Sequence, residues 1–169
     1  MRDLVGHASR SLTTVETYLA TTAPDCATPV DSAVDYYRAV ATVLAAPEAI
    51  AERGRQAGVA LGDDPPSHIA ELVGRVTALV AATPDDAPVA TAFGPMRLVD
   101  YLPTRTFELV VHTLDLATAV GGAQPAGIAE PVRGCIVLAA EIAGFTDDPG
   151  ALLLALTGRR SLPSGFSVV

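Results

Sequence analysis

The stretch Thr106–Asp115, TFELVVHTLD, sets Glu108, His112 and Asp115 into an otherwise apolar segment. Glutamate and histidine four positions apart on a helix stand on adjacent turns, with Cβ atoms about 5–6 Å apart. A carboxylate oxygen and an imidazole nitrogen can then converge on one metal ion at bonds of about 2.0–2.2 Å. At about 100° per residue, His112 falls about 40° to one side of Glu108, Asp115 about 20° to the other, and Arg105 about 60° away. Four ionisable or ligating groups therefore share one narrow stripe, flanked by Phe107, Leu109, Val111, Leu114 and Leu116. A solvated face with i,i+3 ion pairing would show the same spacing, so the helix alone leaves both readings open.

A metal site needs a third ligand from another helix, and His7 and His68 are the other histidines. His7 lies at the edge of the apolar stripe of its helix, beside Ala8 and Ser11, where it can point into a bundle interior. His68 follows Pro65-Pro66-Ser67, a setting suited to capping or exposure, so His7 is the better partner. Two histidines and one carboxylate leave positions open for water or substrate, as catalytic sites do. Arg159-Arg160 reads as a solvated tail pair, and Tyr18, Tyr36, Tyr37 and Phe93 as packing.

The elements that must position these residues are helical. Leu4, Ala8, Leu12, Val15 and Leu19 predict an amphipathic helix from Arg2 to about Ala20. Thr21–Pro29 reads as a loop, after which Asp31 can cap a helix to about Ala46, with Pro47 opening a third that is nearly continuous with it. Ser67 can cap the next helix, which carries Ile69, Leu72, Val73, Val76, Leu79 and Val80. Val89–Tyr101 is locally two-periodic around Gly94-Pro95 and suits a short extended arm or hairpin. Helix returns from Pro103 to Val120, with Pro103 in its first turn and Gly121-Gly122 as its stop. Ile128–Ala143 and Pro149–Leu156 complete the set before an irregular tail. The whole reads as an all-α bundle.

Bulk composition narrows the function. The 169 residues suit one domain, and half of them are hydrophobic, which excludes general disorder. No apolar run approaches the roughly 18–20 residues needed to span a bilayer, so no membrane role is expected. Nineteen acids against eleven bases give a net charge of −8, which argues against a nucleic-acid partner. Cys26 and Cys135 form no CxxC and no secretory signal precedes them, consistent with incidental thiols in a cytoplasmic protein. The Ala, Val, Arg, Asp and Gly bias resembles coding from a GC-rich genome such as an actinobacterial one.

The segments Arg2–His7, RDLVGH, and Tyr101–Leu116, YLPTRTFELVVHTLDL, together resemble the mycothiol-dependent maleylpyruvate isomerase family, whose metal-binding N-terminal domain is a DinB-like helical bundle. The tail LTGRRSLP, Leu156–Pro163, is similar to the ending of single-domain members. The resemblance implies a DinB-like four-helix bundle with extra short helices, and metal ligands His7, Glu108 and His112. Arg105 and Asp115 match its other recurrent polar positions and are assigned supporting or helix-anchoring roles. Zinc is the expected divalent ion, with nickel an alternative. Members of the family have a further helix before RDLVGH, so the first family helix is expected to be missing here and a homodimer to cover the gap. A C-terminal sterol-carrier-like domain is likewise expected to be missing, so maleylpyruvate itself is not the expected substrate.

The resemblance implies a metal-dependent isomerase or S-transferase that uses a low-molecular-weight thiol, mycothiol, on a small electrophile. A catalytically silent metal- or ligand-binding bundle, or interaction module, is the alternative, and metal-assisted hydrolysis a third reading.

Overall fold

The computed structural model describes residues 1–22, 28–43, 47–146 and 148–169, and among them seven helices and one two-stranded hairpin. Helix α1 (Arg2–Ala20) spans the residues that its apolar periodicity predicts. Its N-terminus is tied down by the Arg2 side chain, whose Nε donates to Gly58 O at 2.8 Å and whose Nη2 donates to Gly62 O. Both acceptors belong to the end of α3 (Pro47–Ala60) and the turn after it. His7 therefore lies in an anchored second turn.

Helices α1 and α3 cross with almost no side chain between them. A Cβ on Gly6 would overlap the Gly58 backbone nitrogen and stand 2.7 Å from the Ala57 carbonyl carbon, so only glycine fits there. Gly54 continues the same smooth face one turn earlier on α3, and a Cβ there would lie 3.6 Å from the Cβ and Nδ1 of His7. Small residues on α3 thus set the depth of α1 and leave room for the His7 ring.

Helix α2 (Ala33–Thr42) is capped by Ser32, whose Oγ accepts from Asp35 N at 3.0 Å, and not by Asp31 as the sequence suggests. Its described part ends at Thr42, where Val43 takes extended backbone at φ −103° and ψ 96°. The expected extension through residues 44–46 lies outside the described residues, as does Cys26. Helix α4 (Pro65–Ala82) is capped by Asp64, whose carboxylate accepts from Ser67 N at 3.2 Å. Ser67 is therefore the capped residue and not the cap: Pro65 and Pro66 fit the first turn because they have no N–H to satisfy there.

The expected hairpin forms from β1 (Pro88–Thr91) and β2 (Gly94–Arg97), antiparallel, with Val89 opposite Met96 and Thr91 opposite Gly94. Gly94 has φ +135°, and a Cβ there would strike Thr28 O. Val30 N donates to Pro95 O at 2.9 Å, which ties the approach to α2 onto the hairpin.

Helix α5 (Leu98–Ala119) starts five residues before the position expected from Pro103. Leu98 N and Val99 N donate to Ala87 O and Asp85 O, both at 2.9 Å, so the loop before the hairpin supplies partners for first-turn N–H groups. Pro103 removes the bond that would reach Val99 O, but both residues are exposed, so the helix does not bury an unsatisfied carbonyl there. The helix ends as expected, with Gly121 at φ +64°. Helices α6 (Ala129–Ala143) and α7 (Pro149–Leu156) follow, with α6 covering α2 and α5. The core runs through Val15, Leu72, Val76, Val89, Leu98, Tyr101, Phe107 and Leu138, so α5 is enclosed between α1 and α6. The chain is an all-α DinB-like bundle. No helix among the described residues is long and apolar enough to cross a membrane.

Candidate metal centre

The stripe on α5 faces α1. His112 meets His7 edge to face, with ring centroids 4.7 Å apart and planes at 84°. The glycine contact between α1 and α3 places His7 at this depth. The two histidines paired on sequence grounds are thus in contact, whereas His68 lines a separate pocket on the far side of Arg10 and Arg53.

Carboxylates flank His112 on both sides. Its Nδ1 lies 3.3 Å from Asp115 Oδ2, and its Nε2 lies 3.5 Å from Glu108 Oε2. The second distance is within ion-pair range but too long for a well-formed hydrogen bond, and Nε2 is buried without a hydrogen-bond partner. Asp115 accepting from Nδ1–H would fix the tautomer that leaves the Nε2 lone pair turned toward Glu108.

Glu108 is held on its other oxygen by Tyr37, whose hydroxyl is 2.9 Å from Oε1 and 3.2 Å from Thr104 O. Burial, together with the negative charge of Glu108, pushes the Tyr37 hydroxyl far above its ordinary range and keeps it a donor. Burial alone would raise the Glu108 pKa, but the closeness of His112, the hydrogen bond from Tyr37 and the charge of Arg105 outweigh it and leave it lowered. Glu108 is therefore an anion with one free oxygen.

The two histidines shift in opposite directions. His7 is lowered, first by burial and then by His112, Arg10 and Arg53, with Glu108 opposing. His112 is raised, chiefly by Glu108 and further by Asp115, against burial. In metal-free protein the His112 imidazole is expected to titrate above the ordinary 6.5 and His7 below it, which imidazole resonances followed by NMR against pH will separate. Coincident titrations at the ordinary value would mean that the two rings are not packed in this way.

Arg105 sits deeper. Its guanidinium lies 4.9 Å over the Tyr101 ring and 5.4 Å from that of Tyr36, while Nε donates to Thr104 Oγ1 at 3.0 Å and Nη2 to Tyr36 OH at 3.3 Å. Tyr36 and Tyr37, which the sequence assigns to packing, are buried and also fix the two charged residues of the stripe. Nothing in an amphipathic pattern distinguishes a packing tyrosine from one whose hydroxyl meets a carboxylate. Arg10 was readable in principle, since it follows His7 by three positions on the same helix.

These side chains enclose a cavity of about 240 Å³, with Arg10, Thr14 and Arg53 on the walls facing the stripe. A larger depression of about 440 Å³ between α5 and α6, lined by Leu102, Thr106, Cys135 and Leu138, is mainly apolar and lies apart from the stripe. Among the described residues no group of three or more His, Cys, Asp and Glu side chains is pre-arranged to hold a metal ion. His7, Glu108 and His112 are adjacent without converging on one point. Their donor chemistry suits a divalent cation, because His7 packs against the His112 ring and the ionised Glu108 lies beside the unpartnered Nε2.

No curated protein and no solved structure matches the chain. Residues 1–117 match the family described as the mycothiol maleylpyruvate isomerase N-terminal domain, a span that takes in all of α1 and runs past Asp115 to Ala117 in α5. The chain belongs to the mycothiol maleylpyruvate isomerase N-terminal domain family.

Proposed function

We propose that the protein is a metal-dependent enzyme that uses a low-molecular-weight thiol, mycothiol by its family, to isomerise or S-transfer a small electrophile. The observation that carries this reading is the buried, unpartnered Nε2 of His112, set beside His7 and Glu108 with Asp115 on the opposite ring nitrogen. His7, Glu108 and His112 are the proposed ligands, and zinc is the ion their chemistry favours, with nickel an alternative. A divalent ion held there would supply Lewis acidity and stabilise the thiolate at neutral pH.

The other residues act by position. Tyr37 pins one oxygen of Glu108 so that the other stays available, and Asp115 orients His112. In isomerisation a carbon–sulfur bond forms at the alkene, the former double bond rotates, and the same bond breaks to return the thiol. In transfer the carbon–sulfur bond persists and a leaving group departs with the thiol proton. The setting proposed is the cytoplasmic thiol pool. A homodimer is part of the same reading, supported by exposed Ile136, Val137, Leu153 and Leu156 on α6 and α7.

The unconverged ligands favour a second reading, a catalytically silent bundle that binds metal or a small ligand. Zinc-loaded protein assayed for mycothiol-dependent conversion of electrophilic alkenes and halides separates the two. Turnover abolished by chelation and restored by zinc is expected. Stoichiometric zinc without thiol-dependent turnover across the panel would establish the silent reading instead.

A further inference from the structure

Arg10 and Arg53 stand between two cavities. Both line the cavity that holds the α5 stripe, and both also line a second one of about 240 Å³ among α1, α3 and α4, where Gln56 and His68 contribute polar groups. In a chain of net charge −8, neither guanidinium makes an ion pair among the described residues. The carboxylate next to Arg53 in sequence, Glu52, is turned to Arg55 and Gln56. Glu16, on α1, is taken by Arg75. Arg105, at the floor of the first cavity, likewise has no carboxylate within ion-pair distance among the described residues.

The neighbouring hydroxyls already direct their hydrogens to the backbone and leave the guanidiniums as the charged donors of the two cavities. Ser9 donates its hydroxyl hydrogen to Gly6 O, and Thr13 and Thr14 donate theirs to Arg10 O. Below Arg105 the Tyr101 hydroxyl is fully buried and has no hydrogen-bond partner. Among the described residues the Arg10 and Arg53 guanidiniums therefore present donors with no carboxylate partner to both cavities, suited to the oxygens of an oxyanion.

We propose that Arg10 and Arg53 form an oxyanion subsite that seats a carboxylate or phosphate of a ligand extending from the α5 stripe into the pocket among α1, α3 and α4. Anion capture needs no metal, whereas identifying the captured molecule as the substrate rests on the proposed function. The arginine pair then selects anionic ligands and points the remainder of the molecule at His7, Glu108 and His112.

Titration calorimetry of metal-free protein with succinate and, separately, inorganic phosphate tests the subsite. Saturable one-to-one binding of at least one of them is expected, weakened about tenfold in Arg10→Gln and in Arg53→Gln. Arg55→Gln, which removes the same charge from α3 at a position that is ion-paired and lines neither cavity, should leave the affinity unchanged. His112→Ala should still bind the anion, so failure of the metal reading and failure of this one are told apart. The stronger-binding arm identifies the oxyanion as carboxylate or phosphate, and in an NMR titration with that anion the amide shift changes should include Gln56 and His68. Absence of saturable binding in both arms, equal weakening by Arg55→Gln, or shift changes that exclude Gln56 and His68 would overturn the proposal.

Discussion

Gly6→Ala is expected to destabilise the protein more than any other single methyl addition on the α1–α3 contact. The new Cβ would overlap Gly58 N, 2.5 Å from Gly58 Cα and 2.7 Å from the Ala57 carbonyl carbon. All three are backbone atoms and cannot turn aside as a side chain would. The helices must separate, which forfeits packing along their length and the Arg2 bond to Gly58 O. Overpacking of this kind costs about 3 kcal/mol or more, on the order of a 10 °C fall in melting temperature for a domain of this size. The effect should be graded: a Cβ on Gly58 comes no closer than 3.1 Å to Arg2 O, and one on Gly54 only meets Asp3 O at 3.4 Å and the His7 side chain at 3.6 Å. Thermal melts should therefore rank Gly6→Ala as far more damaging than Gly58→Ala, and Gly58→Ala as more damaging than Gly54→Ala. Equal melts for Gly6→Ala and the parent would mean that the helices do not cross this closely. Because His7 is the next residue, Gly6→Ala should also weaken metal binding even where the protein remains folded.

Glu108→Gln is expected to abolish tight metal binding while leaving the bundle intact. The amide preserves the shape of the side chain and an acceptor for Tyr37, but it removes the only negative charge among the three proposed ligands. Asp115→Asn touches His112 from the other side without being a ligand, and supporting carboxylates of that kind are worth roughly 10- to 100-fold in metal affinity. The loss in Glu108→Gln should exceed that range. Competition with a chromophoric chelator measures both, with circular dichroism as the check on folding. If Asp115→Asn proved the more damaging, the ligand would have to be assigned to Asp115 instead of Glu108. In the metal-free state Glu108→Gln should also bring the His112 titration down, because Glu108 is the largest influence raising it.

Much of this arrangement was legible where the determining physics is local. The apolar spacing of α1 and the proline start of α7 match the observed Arg2–Ala20 and Pro149–Leu156. The i,i+4 geometry placed Glu108 beside His112, and the position of His7 at the edge of its apolar stripe, joined to the RDLVGH resemblance, selected it over His68. The structure departs from the sequence reading where a tertiary contact overrides a local signal and where neighbouring residues compete for one cap position. Pro103 looks like a helix start, yet α5 begins at Leu98 because Ala87 and Asp85 carbonyls receive its first N–H groups from across the hairpin. Ser67 and Asp31 look like caps, yet the chain uses Asp64 and Ser32, whose side-chain oxygens reach the N–H groups three residues on. The Tyr37–Glu108 bond joins residues 71 positions apart, and the shared placement of Arg10 and Arg53 depends on how deeply α1 sinks onto the glycines of α3. No helical periodicity encodes either.

The central claim is that His7, Glu108 and His112 hold one metal ion together. Zinc K-edge X-ray absorption on protein loaded with one equivalent of zinc tests it most directly. Two imidazole nitrogens and a carboxylate oxygen are expected at about 2.0–2.2 Å, with one imidazole contribution lost in His7→Ala and one in His112→Ala. Spectra unchanged in both variants, or failure of the parent protein to retain a stoichiometric ion, would contradict it.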